Sequence, residues 1–109
     1  MTDQNCEQVI LESWGDVRLT GIAWIEAGRD VALSWSLHGN RNGVLTCTCV
    51  HSLNMNIITP ERHGGFPLTW TADFKNNEGD GWKVLFDFAS AGVIEFTCMD
   101  MSLAVSING

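Results

Sequence analysis

Along most of this chain, residues two apart share their character. In Val31-Ala32-Leu33-Ser34-Trp35-Ser36-Leu37-His38, the odd positions are large and apolar and the even ones small or polar. A β-strand turns successive side chains to opposite faces, so this alternation predicts a half-buried strand and not a helix. Upstream, Val17, Leu19, Gly21, Ala23 and Ile25 share one expected face, with Arg18, Thr20, Ile22, Trp24 and Glu26 opposite. Ala27-Gly28-Arg29-Asp30 joins the two segments as a tight hairpin. Downstream, His38-Gly39-Asn40-Arg41-Asn42-Gly43 marks the next turn, because it contains Asn-Gly, which tolerates positive φ.

A long odd-numbered stripe follows: Leu45, Cys47, Cys49, His51, Leu53, Met55 and Ile57. One unbroken strand would run about 45 Å at about 3.3 Å per residue, so a bend or a break near Ser52–Asn54 is expected. Thr59 to Pro67 carries two prolines and Gly64-Gly65 and reads as a loop. Leu68, Trp70, Ala72 and Phe74 then alternate with Thr69, Thr71 and Asp73. After a turn over Lys75–Gly81, Trp82, Val84, Phe86 and Phe88 alternate with Lys83, Leu85, Asp87 and Ala89. Beyond the Ser90-Ala91-Gly92 turn, Ile94, Phe96 and Cys98 mark even positions, whereas Met101, Leu103, Val105 and Ile107 mark odd ones. A change of phase predicts a bulge or a corner near Met99-Asp100. The first segment fits two patterns. Cys6, Val9, Ile10 and Trp14 suit a helical face with Gly15 as C-cap, while Val9-Ile10-Leu11 suits a strand, which is the expectation adopted.

About seven or eight strands with short turns make an all-β, antiparallel meander, one domain over residues 1–109, closed as a β-sandwich or a small barrel. An open sheet would leave too much Trp and Phe in water. Ile22 and Leu85 interrupt otherwise polar faces, which points to extra burial, and self-association is one way to supply it.

Composition narrows the function. The chain is 109 residues long, 45% hydrophobic and 17% charged, with 13 acidic residues, six Lys plus Arg and a net charge of −7. Tracking a phosphate backbone takes cations, so nucleic acid is not the expected partner. No apolar run reaches the roughly 18 residues that span a bilayer as a helix, and no membrane is expected. The amino-terminal residues have neither a basic nor an apolar signal region, so the cytoplasm, with reduced thiols, is the expected compartment.

Cys47-x-Cys49-x-His51 has metal-ligand residue types, but about 13 Å of strand separates its ends, more than one tetrahedral ion gathers. No metal and no cofactor is expected. Asn76–Gly81 has oxygen ligands but not the EF-hand spacing, and reads as a turn. Phosphate loops, Gly-x-Ser-x-Gly and His-Glu-x-x-His are lacking, so catalysis is not expected. The loop after Ile58 groups Glu61, Arg62, His63 and Phe66, and loops on a rigid scaffold are common binding sites. Of five tryptophans, Trp35, Trp70 and Trp82 are expected in the core. Trp24, between Ile22 and Glu26, is the expected exposed or interface aromatic. Candidate binding residues are therefore Trp24, Glu61, Arg62, His63 and Phe66.

The stretch Leu19-Thr20-Gly21-Ile22-Ala23-Trp24 resembles the first strand of calycin-type barrels such as lipocalins and avidins, where Gly-x-Trp closes one end. The spacing here is Gly-x-x-Trp, and no function is carried over. The leading expectation is a non-catalytic β-domain that binds a protein partner or its own copy as a homodimer. An acidic inhibitor or immunity-type protein is a concrete form of it. The alternative is a small-molecule carrier with an aromatic pocket.

Overall fold

In a computed structural model, which describes residues 2–4, 6–57, 67–77 and 79–107 with side chains from Val9 onward, the chain forms two packed antiparallel sheets. The strands are β1 (Thr2–Gln4), β2 (Arg18–Ile25), β3 (Asp30–Leu37), β4 (Arg41–Thr48), β5 (His51–Ile57), β6 (Thr71–Asn77), β7 (Gly81–Asp87), β8 (Gly92–Cys98) and β9 (Asp100–Ile107). One sheet has the order β1-β9-β4-β3-β2 and the other β5-β8-β7-β6. The sandwich is therefore the architecture, and the sheet does not close into a barrel. The meander persists within β2-β3-β4 and β6-β7-β8. It is broken where the chain passes between the sheets.

One crossing was visible as a change of phase and the other as a stripe too long for one strand. Ile94, Phe96 and Cys98 are buried from one sheet, and Met101, Leu103 and Val105 from the other, so Met99 is the corner. Its N–H donates to the Thr48 carbonyl at 2.9 Å, which joins this corner to the end of β4. The long stripe breaks at Cys49-Val50, earlier than expected, with Cys49 at φ 51°. Asp30 holds that break. Its Oδ1 accepts from the Cys49 N–H at 3.0 Å, and Val50 N–H donates to the Arg29 carbonyl at 2.8 Å. Near the expected bend, a register shift between His51 and Asn54 places Ser52 at φ 56°.

The core is filled by aromatic rings from both sheets. Trp35 of β3 meets Phe86 of β7 at a centroid distance of 4.8 Å, and Trp14 sits edge-on to both at 5.1 and 5.4 Å. Phe74 of β6 completes the group at 5.8 Å from Phe86. Edge-to-face contacts of this kind add to the area buried.

Two turns are shorter than expected, with Asn42-Gly43 inside β4 after a turn at Gly39-Asn40 and with Lys75–Asn77 inside β6, and three larger expectations change. The first segment is not a strand at Val9–Leu11 but a helix, α1 (Cys6–Leu11). Val9 is buried from it, and the indole N–H of Trp14 donates to the Val9 carbonyl at 2.9 Å. The helix is tied to β4 by Glu12 and Arg41 at 2.7 Å, so tertiary contacts decide a segment too short to be helical alone. Trp70 is not in the core but 65% exposed. Thr69 takes the inward place. Its hydroxyl donates to the Trp14 carbonyl, and its N–H donates to Val17 at 2.9 Å. Clasping the chain this way throws Leu68 and Trp70 outward, and β6 begins only at Thr71. Third, a register shift between Leu19 and Gly21 resets the face of β2. Ile22 now lies opposite Leu33 and Trp24 opposite Val31, both core residues. The apolar character of Ile22 is thereby explained by the bulge.

Candidate binding face

Of the expected binding residues, Glu61, Arg62, His63 and Phe66 lie outside the described residues. Trp24 is 51% exposed. It belongs to the inner side of β2, but β2 is an edge strand among the described residues, which leaves half of the side chain exposed. Leu68, where the described chain resumes its pairing, bridges Arg18 at the other end of β2. Six residues separate Arg18 from Trp24, or about 20 Å of strand, so Trp24 and Leu68 stand at opposite ends of the strand.

Cys47, Cys49 and His51 are dispersed by the crossing. Cys47 is buried in the core, Cys49 is half-buried at the break and His51 is exposed at the start of β5. The thiol of Cys98 is held below the usual range by a hydrogen bond from the Cys47 thiol. Among the described residues no three His, Cys, Asp or Glu side chains gather closely enough to hold one metal ion. Among them, too, no helix is long and apolar enough to cross a membrane.

The outward face of the four-stranded sheet carries a feature that the sequence pattern alone did not reveal. Phe74, Val84 and Phe96 point inward, so their strand neighbours point out. Register then sorts the outward side chains into rows across the strands. One row is Lys75–Lys83–Thr97–His51. The next is Asp73–Leu85–Glu95–Asn54. Both lysines of the chain therefore stand directly opposite one another, and both acids of the next row flank a half-buried leucine. Like charges placed opposite on adjacent strands repel. Among the described residues neither lysine closes an ion pair, although Lys83 and Glu95 are diagonal neighbours, about 7–8 Å apart by sheet geometry.

The surface is hollowed there. Two adjoining depressions of about 350 and 230 Å³ share Lys83 and Glu95. Ser52, Asn77 and Thr97 contribute to the first, and Asp73, Lys75 and Leu85 to the second. An apolar centre with a charged rim is the usual anatomy of a protein-binding patch. Leu85 was conspicuous in sequence as an apolar residue on a polar face. The lysine pairing had a signal too: centring the β6–β7 hairpin on Gly79 puts Lys75 opposite Lys83.

Comparison with protein-family models, with curated proteins and with solved structures finds no match to this chain.

Proposed function

We propose that this domain is a non-catalytic binding module whose working surface is the outward face of the four-stranded sheet, and that its ligand is a protein. The observation that carries the reading is Leu85, half-buried at the centre of a face whose charges are grouped by sign. Grouped charges steer a complementary surface and fix its orientation, while the desolvated centre supplies affinity. The carrier alternative draws less support, because the rings around Trp35 and Phe86 pack against each other.

The test uses two outward substitutions that leave the core untouched. Leu85→Lys alters the four-stranded face, and Ser34→Lys alters the five-stranded one. Tagged wild type, cross-linked in its native cell before capture, is expected to hold one partner, either another protein or its own copy. Leu85→Lys should lose that partner and Ser34→Lys should keep it, with both variants folded by circular dichroism. Retention by Leu85→Lys, or loss only in Ser34→Lys, overturns the reading.

A further inference from the structure

We infer that the partner on this face is a second copy of the chain, docked as a two-fold dimer; this rests on the reading of the face just given. The argument is charge complementarity. The basic row (Lys75, Lys83) and the acidic row (Asp73, Glu95) run side by side across the same three strands, two residues apart along each strand. A two-fold axis lying in the face, parallel to the rows and between them, turns one copy over onto the other. It brings the basic row of each copy over the acidic row of the other. Lys75 then meets Asp73 of the second copy, and Lys83 meets Glu95 of the second copy one strand across. The contact is isologous, so every pair forms twice and the assembly closes at two.

Two further features agree. The chain carries a net charge of −7, so copies repel in general, and they approach best through a surface where plus and minus alternate. This face holds both lysines. Docking also answers the Lys75–Lys83 opposition, since each lysine gains a carboxylate with which none of the described residues of its own chain provides an ion pair. Leu85 lies beside the axis in both copies, and the aliphatic stem of the second copy's Lys83 covers it while the ammonium reaches Glu95.

The size of the face sets the strength. Four strands about 4.8 Å apart and about seven residues long project roughly 400 Å². That is at the small end for a specific interface, so the dimer is expected to be weak and salt-sensitive, with dissociation in the micromolar to millimolar range.

Analytical ultracentrifugation of the purified chain, from about 10 µM to about 1 mM in low salt, tests the idea. Wild type is expected to dimerise with concentration, and about tenfold or more less well when salt rises from roughly 50 to 500 mM. The double variants Lys75→Glu/Lys83→Glu and Asp73→Lys/Glu95→Lys each carry two rows of one sign. Each alone should be monomeric. Mixed in equal amounts they should form a heterodimer, because every row then meets its opposite. A wild type that stays monomeric at 1 mM in low salt overturns the inference, as does a dimer that survives in either variant alone or an equimolar mixture of folded variants that stays monomeric. If wild type is monomeric and yet loses a different protein on Leu85→Lys, the second copy is excluded and the binding face stands. If neither association is found, both fall.

Discussion

The two outward faces of this sandwich differ in almost everything except their backbone. The five-stranded sheet presents Gly21, Ala23, Ala32, Ser34, Thr46 and Ala104, small and uncharged, across its middle, with Val44 among them and the charged Arg18 and Asp100 apart at its margins. The four-stranded sheet presents two lysines, two acids and a leucine within two adjacent rows. Both sheets bury their other face in one core, so folding places the same demand on each. It asks for an apolar inward face and tolerates nearly any polar outward one. A face of small residues meets that demand and no more. A face with opposed lysines and a half-buried leucine departs from it, and the departure is what marks the four-stranded side as the working one.

The comparison depends on a core common to both faces, and Trp35 is its centre. It is 1% exposed and packs on Trp14 and on Phe86 of the opposite sheet. Trp35→Ala should cost about 3–5 kcal/mol, the usual range for emptying a buried aromatic site. Urea unfolding would show the loss. Because the ring bridges the sheets, hydrogen exchange should rise in β3 and β7 together. Protection lost in the five-stranded sheet alone would mean that the two sheets are energetically separate.

Asp30 tests the joint between the sheets. Its carboxylate accepts from the Arg29 guanidinium at 2.9 and 3.1 Å and from the Cys49 N–H at 3.0 Å. The Arg29 bond, followed by the Cys49 bond, holds its pKa below the ordinary value. A depressed carboxylate pKa means that the unfolded chain binds the proton more tightly. The stabilisation is therefore complete above the unfolded value, near about 3.9, and is lost as pH falls through the lower folded value. Asp30→Asn should be less stable than wild type at neutral pH, and the two should converge as the pH falls through the lowered folded value. A gap that stays constant down to pH 2 would assign the effect to geometry and not to charge. Exchange should rise first at Cys49 and Val50, the link into β5.

How far the sequence carried depended on whether a position answers to its own strand or to its neighbours. The alternation of Val31–Leu37 and the change of phase at Met99 are local, and both were legible. Thr69 and Trp70 were not, because the inward place goes to Thr69 through bonds to Trp14 and Val17, which lie more than fifty residues away. Trp24 was rightly expected to be exposed. Its facing was misread, because one unpaired residue near Thr20 reverses every later side chain on β2. The charge rows exist only across strands. Lys75 and Lys83 read as two solvated residues until pairing sets them opposite. The alternation puts Asp73, Lys83 and Leu85 on the outward side, but it leaves Lys75 in a turn and His51 on the apolar stripe, so the rows emerge only with register.

The smallest expected effect separates the two faces most cleanly. Lys83→Glu replaces a cross-strand Lys–Lys opposition with a Lys75–Glu pair. Opposite charges in this register contribute about 0.2–1 kcal/mol, so the variant should be slightly more stable than wild type, by roughly 0.5 kcal/mol. The same change places a carboxylate where the second copy offers its acidic row, so association should weaken. Ser34→Lys on the five-stranded face should do neither, staying within about 0.5 kcal/mol of wild type with association unchanged. A more stable monomer that associates less well is the signature of charges arranged for a partner and not for the fold. If Lys83→Glu were instead destabilising, the lysine opposition would already be relieved within one chain, and the four-stranded face would lose its claim over the other.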